Sequence, residues 1–340
     1  MAAEAGRAGA APAITHSLVI PVYRNEANIP ALIAALCELA RDVSHFEVVF
    51  VVDGSPDRSA ALLAESLTEV PFAWQLAELS RNFGSFAAIR QGLVLARGEF
   101  VAVMAADLQE PPELVARFFK ELATGEVDIV VGTRSARNDP ALTSLSSKLF
   151  WALYRRLIMP SVPEGGVDVF ACNRAFRAAL LSLEERESFL IGQLFWVGFR
   201  RREIAYERRG REHGKSAWTV RKKLVYMMDG IFAFSALPIS LLTWIGVLGL
   251  IVSVGSIVVV FFSWLTGHIT APGYAPLMLA IMFFGSLTTL GLGTLGGYVW
   301  RIAENGRKRP LSLVMRHRMS QPAGQEAAIQ VAAGSERVTP

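Results

Sequence analysis

Cysteine is nearly absent from this chain: two occur in 340 residues, Cys37 in a helix-like run and Cys172 in a strand-like one. Their spacing fits no metal motif, which excludes a disulfide scaffold and a zinc module and reads as two reduced, buried thiols. Charge is also scarce, at 19% of residues, and two stretches, 236–264 and 277–300, contain no Asp, Glu, Lys or Arg at all. The opening "MAAEAGRAGAAPAITHS" lacks the apolar core of about 7–15 residues that a secretory signal requires. The closing "QPAGQEAAIQVAAGSERVTP" lacks aromatics and periodic apolar residues, so it cannot bury enough surface to offset its ordering entropy. Disorder is expected at both ends. Basic residues are not interleaved with aromatics along one face but gather in 200–223 and 301–318, and the net charge is only +4. That distribution argues against a nucleic-acid partner and for membrane phosphate.

What is present begins with alternation. Between residue 17 and about 133, "SLVIPVY", "FEVVFVVDGS", "FAWQLAELS", "FVAVMAAD" and "VDIVVGT" alternate with helical patterns such as "IPALIAALCELA", "SAALLAESL", "SFAAIRQGLVLA" and "PELVARFFKELA". Near-continuous apolar strands separated by helix-length segments predict an α/β fold whose mostly parallel sheet is covered on both faces. Ligands then bind at the carboxyl ends of the strands. Further on, "SLSSKLFWALYRRLIM" suits an amphipathic helix, followed by a strand "VDVFACN", a helix "RAFRAALLSL" and the basic stretch ending "RRGREHGKSAW".

After residue 235 the character changes, and much of the chain's 52% hydrophobic content lies there. The uncharged stretches 236–264 and 277–300 each exceed the roughly 20 residues needed to cross about 30 Å of hydrocarbon, and predict two transmembrane helices. The intervening "LTGHITAPGYAP" has no Lys or Arg, whereas "RKK" at 221–223 and "RIAENGRKR" at 301–309 flank the outer ends. The positive-inside rule then places both termini and the α/β domain in the cytoplasm. Residues 215–235 put Trp218, Leu224, Val225, Met228, Ile231 and Phe232 near one helical face, which suits an interfacial amphipathic helix.

Four polar stretches fall at expected strand ends: "IPVYRNEANI", "VVDGSPD", "ELSRNFGS" and "AADLQEPPEL". Asp53, ending a strand before Gly54, suits a nucleoside hydrogen-bond acceptor; taken without the other motifs, it reads first as an ordinary turn or cap residue. Asp107 and Gln109 are oxygen donors that one turn brings to a single hard cation, Mg²⁺ or Mn²⁺, whose remaining positions water and phosphate fill. The same "EPPEL" also suits a helix start, with prolines in the first turn and acids complementing the dipole.

Taken together, "PVYRNEANI", "VVDGSPD", "RNFGSFAAIRQGL", "ADLQEPPEL", "GVDVFACNR", "GQLFWVGF", "RRGREHGKS" and "GGYVWRIAENGRKRP" resemble the inverting glycosyltransferases of family 2, in the polyprenyl-phosphate branch, over about residues 16–312. The resemblance implies a GT-A (Rossmann-like) fold and transfer of a hexose from UDP or GDP to a polyprenyl phosphate such as undecaprenyl phosphate. It implies nucleotide-sugar binding by Pro21, Tyr23, Glu26, Asp53, Arg81 and Asp107, a metal on Asp107 and Gln109, and phosphate binding by Arg208, Arg211, Lys215 and Ser216. Asp168 matches an acid near the acceptor and, with Asp107, is the catalytic candidate. Departures are Arg24, where the family often has Asn, Val52 and Ala105, where it has further acids, and Ala217, where it has Lys.

The expected organisation is a leader over 1–15, a catalytic domain over 16–214, an interfacial helix over 215–235, a membrane hairpin over 236–302 and a largely disordered cytoplasmic tail over 303–340. The expected location is a bacterial inner membrane, with the bilayer as partner and a homo-oligomer compatible with it. Two rival readings are weighed against this one. A processive polysaccharide synthase is disfavoured because "QLFW" lacks the arginine of that group's motif. A catalytically silent nucleotide-sugar binder, for which Ala105 speaks, has little use for converging acids and phosphate binders.

Overall fold

The computed structural model describes residues 13–134, 167, 169–183, 190–208, scattered positions between 241 and 266, and 273–320. Strands and helices alternate as β1 (His16–Val22), α1 (Ile29–Asp42), β2 (Phe46–Val52), α2 (Ser59–Ser66), β3 (Ala73–Leu79), α3 (Ser85–Leu95), β4 (Phe100–Val103), α4 (Pro112–Ala123) and β5 (Ile129–Arg134). Then follow β6 (Phe170–Cys172), α5 (Arg174–Leu181), α6 (Leu190–Trp196), β7 (Arg201–Tyr206), α7 (Tyr274–Gly306) and β8 (Val314–Met319). The strands form one sheet in the order β7-β5-β6-β4-β1-β2-β3-β8. Pairing is parallel except where β6 lies between β4 and β5 and where β8 lies beside β3. Six strands therefore point one way, as the expected mostly parallel sheet requires.

The strand period of two sorts the core into layers. Leu18, Ile20, Val22, Val48, Phe50 and Val52 pack in one cluster with Leu32, Leu36 and Phe118 from α1 and α4. Val19, Val49, Val51 and Val103 pack in the other with Ala88 and Leu93 from α3 and Phe176 from α5. Each fully buried large side chain stabilises the fold by about 1.5–3 kcal/mol, and both sheet faces hold several. Helix α4 shows how the sequence directs this. Pro112 sits in its first turn, Glu113 lies near the positive end of its dipole, and Leu114, Val115, Phe118, Phe119 and Leu122 form its buried stripe. Cys172 is buried in β6 and Cys37 half-buried in α1, both as free thiols. Burial pushes the Cys172 thiol up to about 12, so it is inert at neutral pH.

The first part of the expected tail over 303–340 carries regular structure. Helix α7 continues to Gly306, and β8 pairs antiparallel with β3, Leu76 opposite Arg318 and Ala77 opposite His317. The strand "VMRHRM" is mostly exposed, and its arginines, not an apolar face, fix it: Arg318 lies 3.0 Å and Arg316 3.5 Å from Glu78. His317 hydrogen-bonds Gln75 at 2.9 Å, and burial, with the charge of Arg97, lowers its pKa. Such polar edge strands escape a search for apolar alternation, yet suit an edge by discouraging further pairing. The leader through residue 12, the segment 135–166, the interfacial helix at 215–235 and the final twenty residues lie outside the described residues.

Helix α7 is 33 residues long, roughly 50 Å at 1.5 Å per residue, and Leu277, Ile281, Phe284, Leu292, Leu295 and Val299 on it are exposed. Among the described residues no helix is long and apolar enough to cross a membrane. The two expected spans are therefore carried by the sequence alone.

Candidate functional site

The order β4-β1-β2-β3 means the chain moves to one side of β1 and later returns to the other, leaving a switch point between β1 and β4. At such a point the loops above two adjacent strands diverge and open a crevice. Pro21 helps to open it. The Val19 carbonyl accepts from Met104 N–H, so Pro21, two residues on, faces the same side, where β4 has already ended at Val103. Proline's missing N–H costs nothing there. The sequence places Pro21, Tyr23, Glu26, Asp53, Arg81, Asp107 and Gln109 at the carboxyl ends of strands, and the structure brings these seven to one rim, joined there by Arg208 from just beyond β7. Asp168, Arg211, Lys215 and Ser216 lie outside the described residues.

The first two rim loops interlock through Asp57, which the sequence reading passed over. Its carboxylate accepts from Ser55 Oγ at 2.5 Å, Ser59 Oγ at 2.9 Å, Ser59 N–H at 3.2 Å and Glu26 N–H at 3.2 Å. Burial opposes its ionisation, but these hydrogen bonds outweigh burial and hold the carboxyl below its ordinary value. Ser55 Oγ in turn accepts from Arg24 N–H at 2.8 Å, and Glu26 accepts from Arg58 N–H at 3.0 Å. Arg24 is held at a φ of 55°, a left-handed conformation that costs energy for a side chain of its size. Tyr23 is exposed beside it, 5.4 Å from the guanidinium. The signal for Asp57 was legible: an Asp two residues before a helix-starting Ser is a common local hydrogen-bonding motif.

Asp53 turns inward. It is 2% exposed, and its two carboxylate oxygens accept from Phe83 N–H at 2.7 Å and Gly84 N–H at 2.8 Å. It thus shapes the loop 81–84, the ordinary turn role that the sequence allowed beside nucleoside binding. Gly54 lets that loop close. Its φ is +56°, and an added Cβ would lie 2.3 Å from the Arg81 carbonyl carbon. Arg81 itself is on the surface, stacked 4.0 Å over the Phe83 ring.

Beyond β4, Leu108 has a φ of 53°, and this left-handed residue separates Asp107 from Gln109. Gln109 N–H reaches toward Asp107 Oδ1 at 3.5 Å, and Arg208 Nη2 donates to Gln109 Oε1 at 2.5 Å. Glu110, 1% exposed, lies 3.7 Å from Arg208 Nε. Among the described residues no group of three or more His, Cys, Asp and Glu gathers around a common point. The donor set at the crevice is two oxygens, one anionic and one neutral, on a tight turn. That set fits a hard divalent cation which takes most of its ligands from water and phosphate. A cavity of about 410 Å³ lies beside the rim between α4 and β7, lined by Glu113, Arg117 and Glu207 among others. Its two acids suit a diphosphate poorly, so it flanks the site and does not constitute it.

Residues 17–183 match the family described as glycosyl transferase family 2. The undecaprenyl-phosphate 4-deoxy-4-formamido-L-arabinose transferase of Pseudomonas aeruginosa (strain LESB58) is 33% identical over 338 residues, covering 95% of this chain and 97% of that protein. The prophage bactoprenol glucosyl transferase homolog of Escherichia coli (strain K12) is 29% identical over 308 residues, covering 88% and 98%. A crystal structure of glucosyl-3-phosphoglycerate synthase from Mycobacterium tuberculosis, in complex with Mn²⁺ and UDP-glucose, is similar at a TM-score of 0.46 and 20% identity, covering 64% of this chain and 77% of that one.

Proposed function

The chain belongs to glycosyltransferase family 2, and on that premise we propose that it transfers a hexose from a UDP- or GDP-sugar to undecaprenyl phosphate, with inversion, at the cytoplasmic face of a bacterial inner membrane. One observation carries the reading: the β1/β4 crevice has Asp107 and Gln109 at its mouth, with Arg208 hydrogen-bonded to Gln109. One anionic and one neutral oxygen, placed to hold a cation, and a guanidinium on the same rim suit a diphosphate leaving group beside an anionic acceptor. Two relatives named for undecaprenyl-phosphate or bactoprenol transfer support the acceptor class.

The chemistry follows from charge. A phosphate acceptor is already anionic at neutral pH and needs little help from a general base. The barrier lies in charge building on the departing nucleoside diphosphate, which preorganised cationic groups stabilise. Asp107 and Gln109 would hold Mg²⁺ or Mn²⁺, which when bound neutralises diphosphate charge. Asp53 and Asp57 act behind the crevice by fixing the loops that receive the nucleoside, while Tyr23, Glu26 and Arg81 present their side chains to it. Asp168 orients the acceptor or stabilises positive charge on the sugar, and Arg211, Lys215 and Ser216 complete the phosphate-binding loop. Displacement in a single in-line step gives a β-linked product from an α-linked donor. Stretches 236–264 and 277–300 span the bilayer, and a homo-oligomer is compatible with that arrangement.

Purified full-length protein in detergent, undecaprenyl phosphate and a panel of radiolabelled UDP- and GDP-sugars test the activity. One sugar should appear on the lipid in β linkage; donor hydrolysis with no lipid product overturns the reading. The membrane face is tested in intact cells with an impermeant thiol reagent. A cysteine at Gly267 should label and one at Glu65, exposed on α2, should not; the reverse pattern places the catalytic domain on the other side.

A further inference from the structure

Gln109 Oε1 has two prospective claimants. The proposed function gives it to a divalent cation; in the structure it accepts from the Arg208 guanidinium at 2.5 Å. Two cations on one neutral amide oxygen, with no anion between them, repel each other. Arg208 has a second hold, because Glu110, adjacent in sequence and buried, lies 3.7 Å from its Nε. The left-handed turn at Leu108 brings the amide and the acid to the same arginine. The arginine's backbone is anchored too, two residues beyond β7, whose pairing with β5 runs as far as Tyr206 opposite Arg134. Its side chain is 31% exposed and can swing while its chain stays in place.

We propose that Gln109 exchanges partners: a divalent cation arriving at Asp107 and Gln109 expels the Arg208 guanidinium, and Glu110 keeps that guanidinium at the rim, where it is free to take up phosphate. Glu110 is on this view a positioning residue, acting through Arg208. Because the guanidinium is released only when the cation is in place, the site gains its phosphate-binding charge together with the metal and does not offer it beforehand. The inference rests on the metal reading of Asp107 and Gln109 given above.

Release is read directly as modification of Arg208 by phenylglyoxal, followed by peptide mass spectrometry on the full-length protein in detergent, with Mn²⁺ as the only ligand. In the wild type, Mn²⁺ should raise Arg208 labelling at least threefold. In Gln109→Ala, labelling should already be high and insensitive to Mn²⁺. In Glu110→Gln it should rise without Mn²⁺, with an unfolding curve confirming that the variant is folded. Calorimetric titration of Mn²⁺ alone should show Arg208→Ala binding about tenfold more tightly than the wild type. Arg117→Ala, which removes a nearby positive charge without touching Gln109, should bind as the wild type does. Wild-type labelling indifferent to bound Mn²⁺, Glu110→Gln labelling like the wild type, or equal gains in Arg117→Ala and Arg208→Ala each overturn the exchange while leaving the metal reading intact. Absence of Mn²⁺ binding even with UDP present overturns both.

Discussion

Where β1 and β2 begin, Glu47 is completely buried and its carboxylate is surrounded: Ser17 Oγ donates at 2.7 Å, Arg97 N–H at 2.7 Å and Gln75 Nε2 at 3.2 Å, and the Arg97 guanidinium lies 2.6 Å away. At that same end Asp128 takes both a bidentate hold from Arg200 and a bond from Asn173. Where the strands finish, Asp107 and Gln109 stand half-buried on a left-handed turn, and the arginine that reaches them comes from a loop. The same residue types thus do different work at the two ends of one sheet. Acids whose partners are supplied from several packed elements stabilise the fold, whereas the polar groups on the strained rim turn are the ones that the proposed function assigns to a ligand.

The sharpest way to break this contrast is to remove one charge at each end. Asp107→Asn should lower sugar transfer by at least about 100-fold with little change in unfolding free energy, as measured by initial rates and urea titration. Glu47→Gln should do the opposite, costing about 3 kcal/mol of stability while the turnover of the folded fraction holds. If both variants lose activity and stability alike, the division of labour is wrong.

Gly54 tests the rim's backbone. Gly54→Ala puts a Cβ against the Arg81 backbone at a positive φ, so it should cost about 2 kcal/mol or more and raise the donor KM by disordering the loop that Asp53 organises. Urea unfolding and KM measurements check the two parts separately. The smallest effect is expected from acid. The Arg200 side chain hydrogen-bonded to Asp128 is the main cause that holds this carboxyl at about 2, below its ordinary 3.8. The folded state therefore binds that proton less readily than the unfolded chain. Its stabilisation is complete above about pH 4 and is lost as pH falls through about 2. Asp128→Asn should remove that contribution, lowering stability above about pH 4, neutral pH included, and flattening the profile across the acid window, as followed by urea unfolding at several pH values.

Much of the site was legible because it depends on chain order. Asp107 and Gln109 close a strand pattern and precede a helix start, and alternation of strands and helices alone sends such strand ends to one rim. Other parts were hidden because their partners lie far away in sequence. Nothing in "FEVVF" signals that Glu47 meets Gln75 on the neighbouring β3 and Arg97 in the connection before β4. For Asp53 the sequence leaves both a ligand acceptor and a turn residue open, because the partners the fold gives it, two backbone N–H groups 30 and 31 residues on, carry no side-chain signature.

Strand β8 marks the boundary most clearly. Periodic apolarity determined the layered α/β fold, the order of its strands along the chain and the uncharged stretches near its end, since each depends on residues close in sequence. Only tertiary structure decided that "VMRHRM" adds an eighth strand beside β3, because its hold comes from Glu78 and Gln75 more than 200 residues earlier. The meeting of Arg208 with Gln109 is of the same kind. Two polar side chains 99 positions apart come together because β7 pairs with β5 while β4 ends beside β1, a consequence of sheet order that no local pattern encodes.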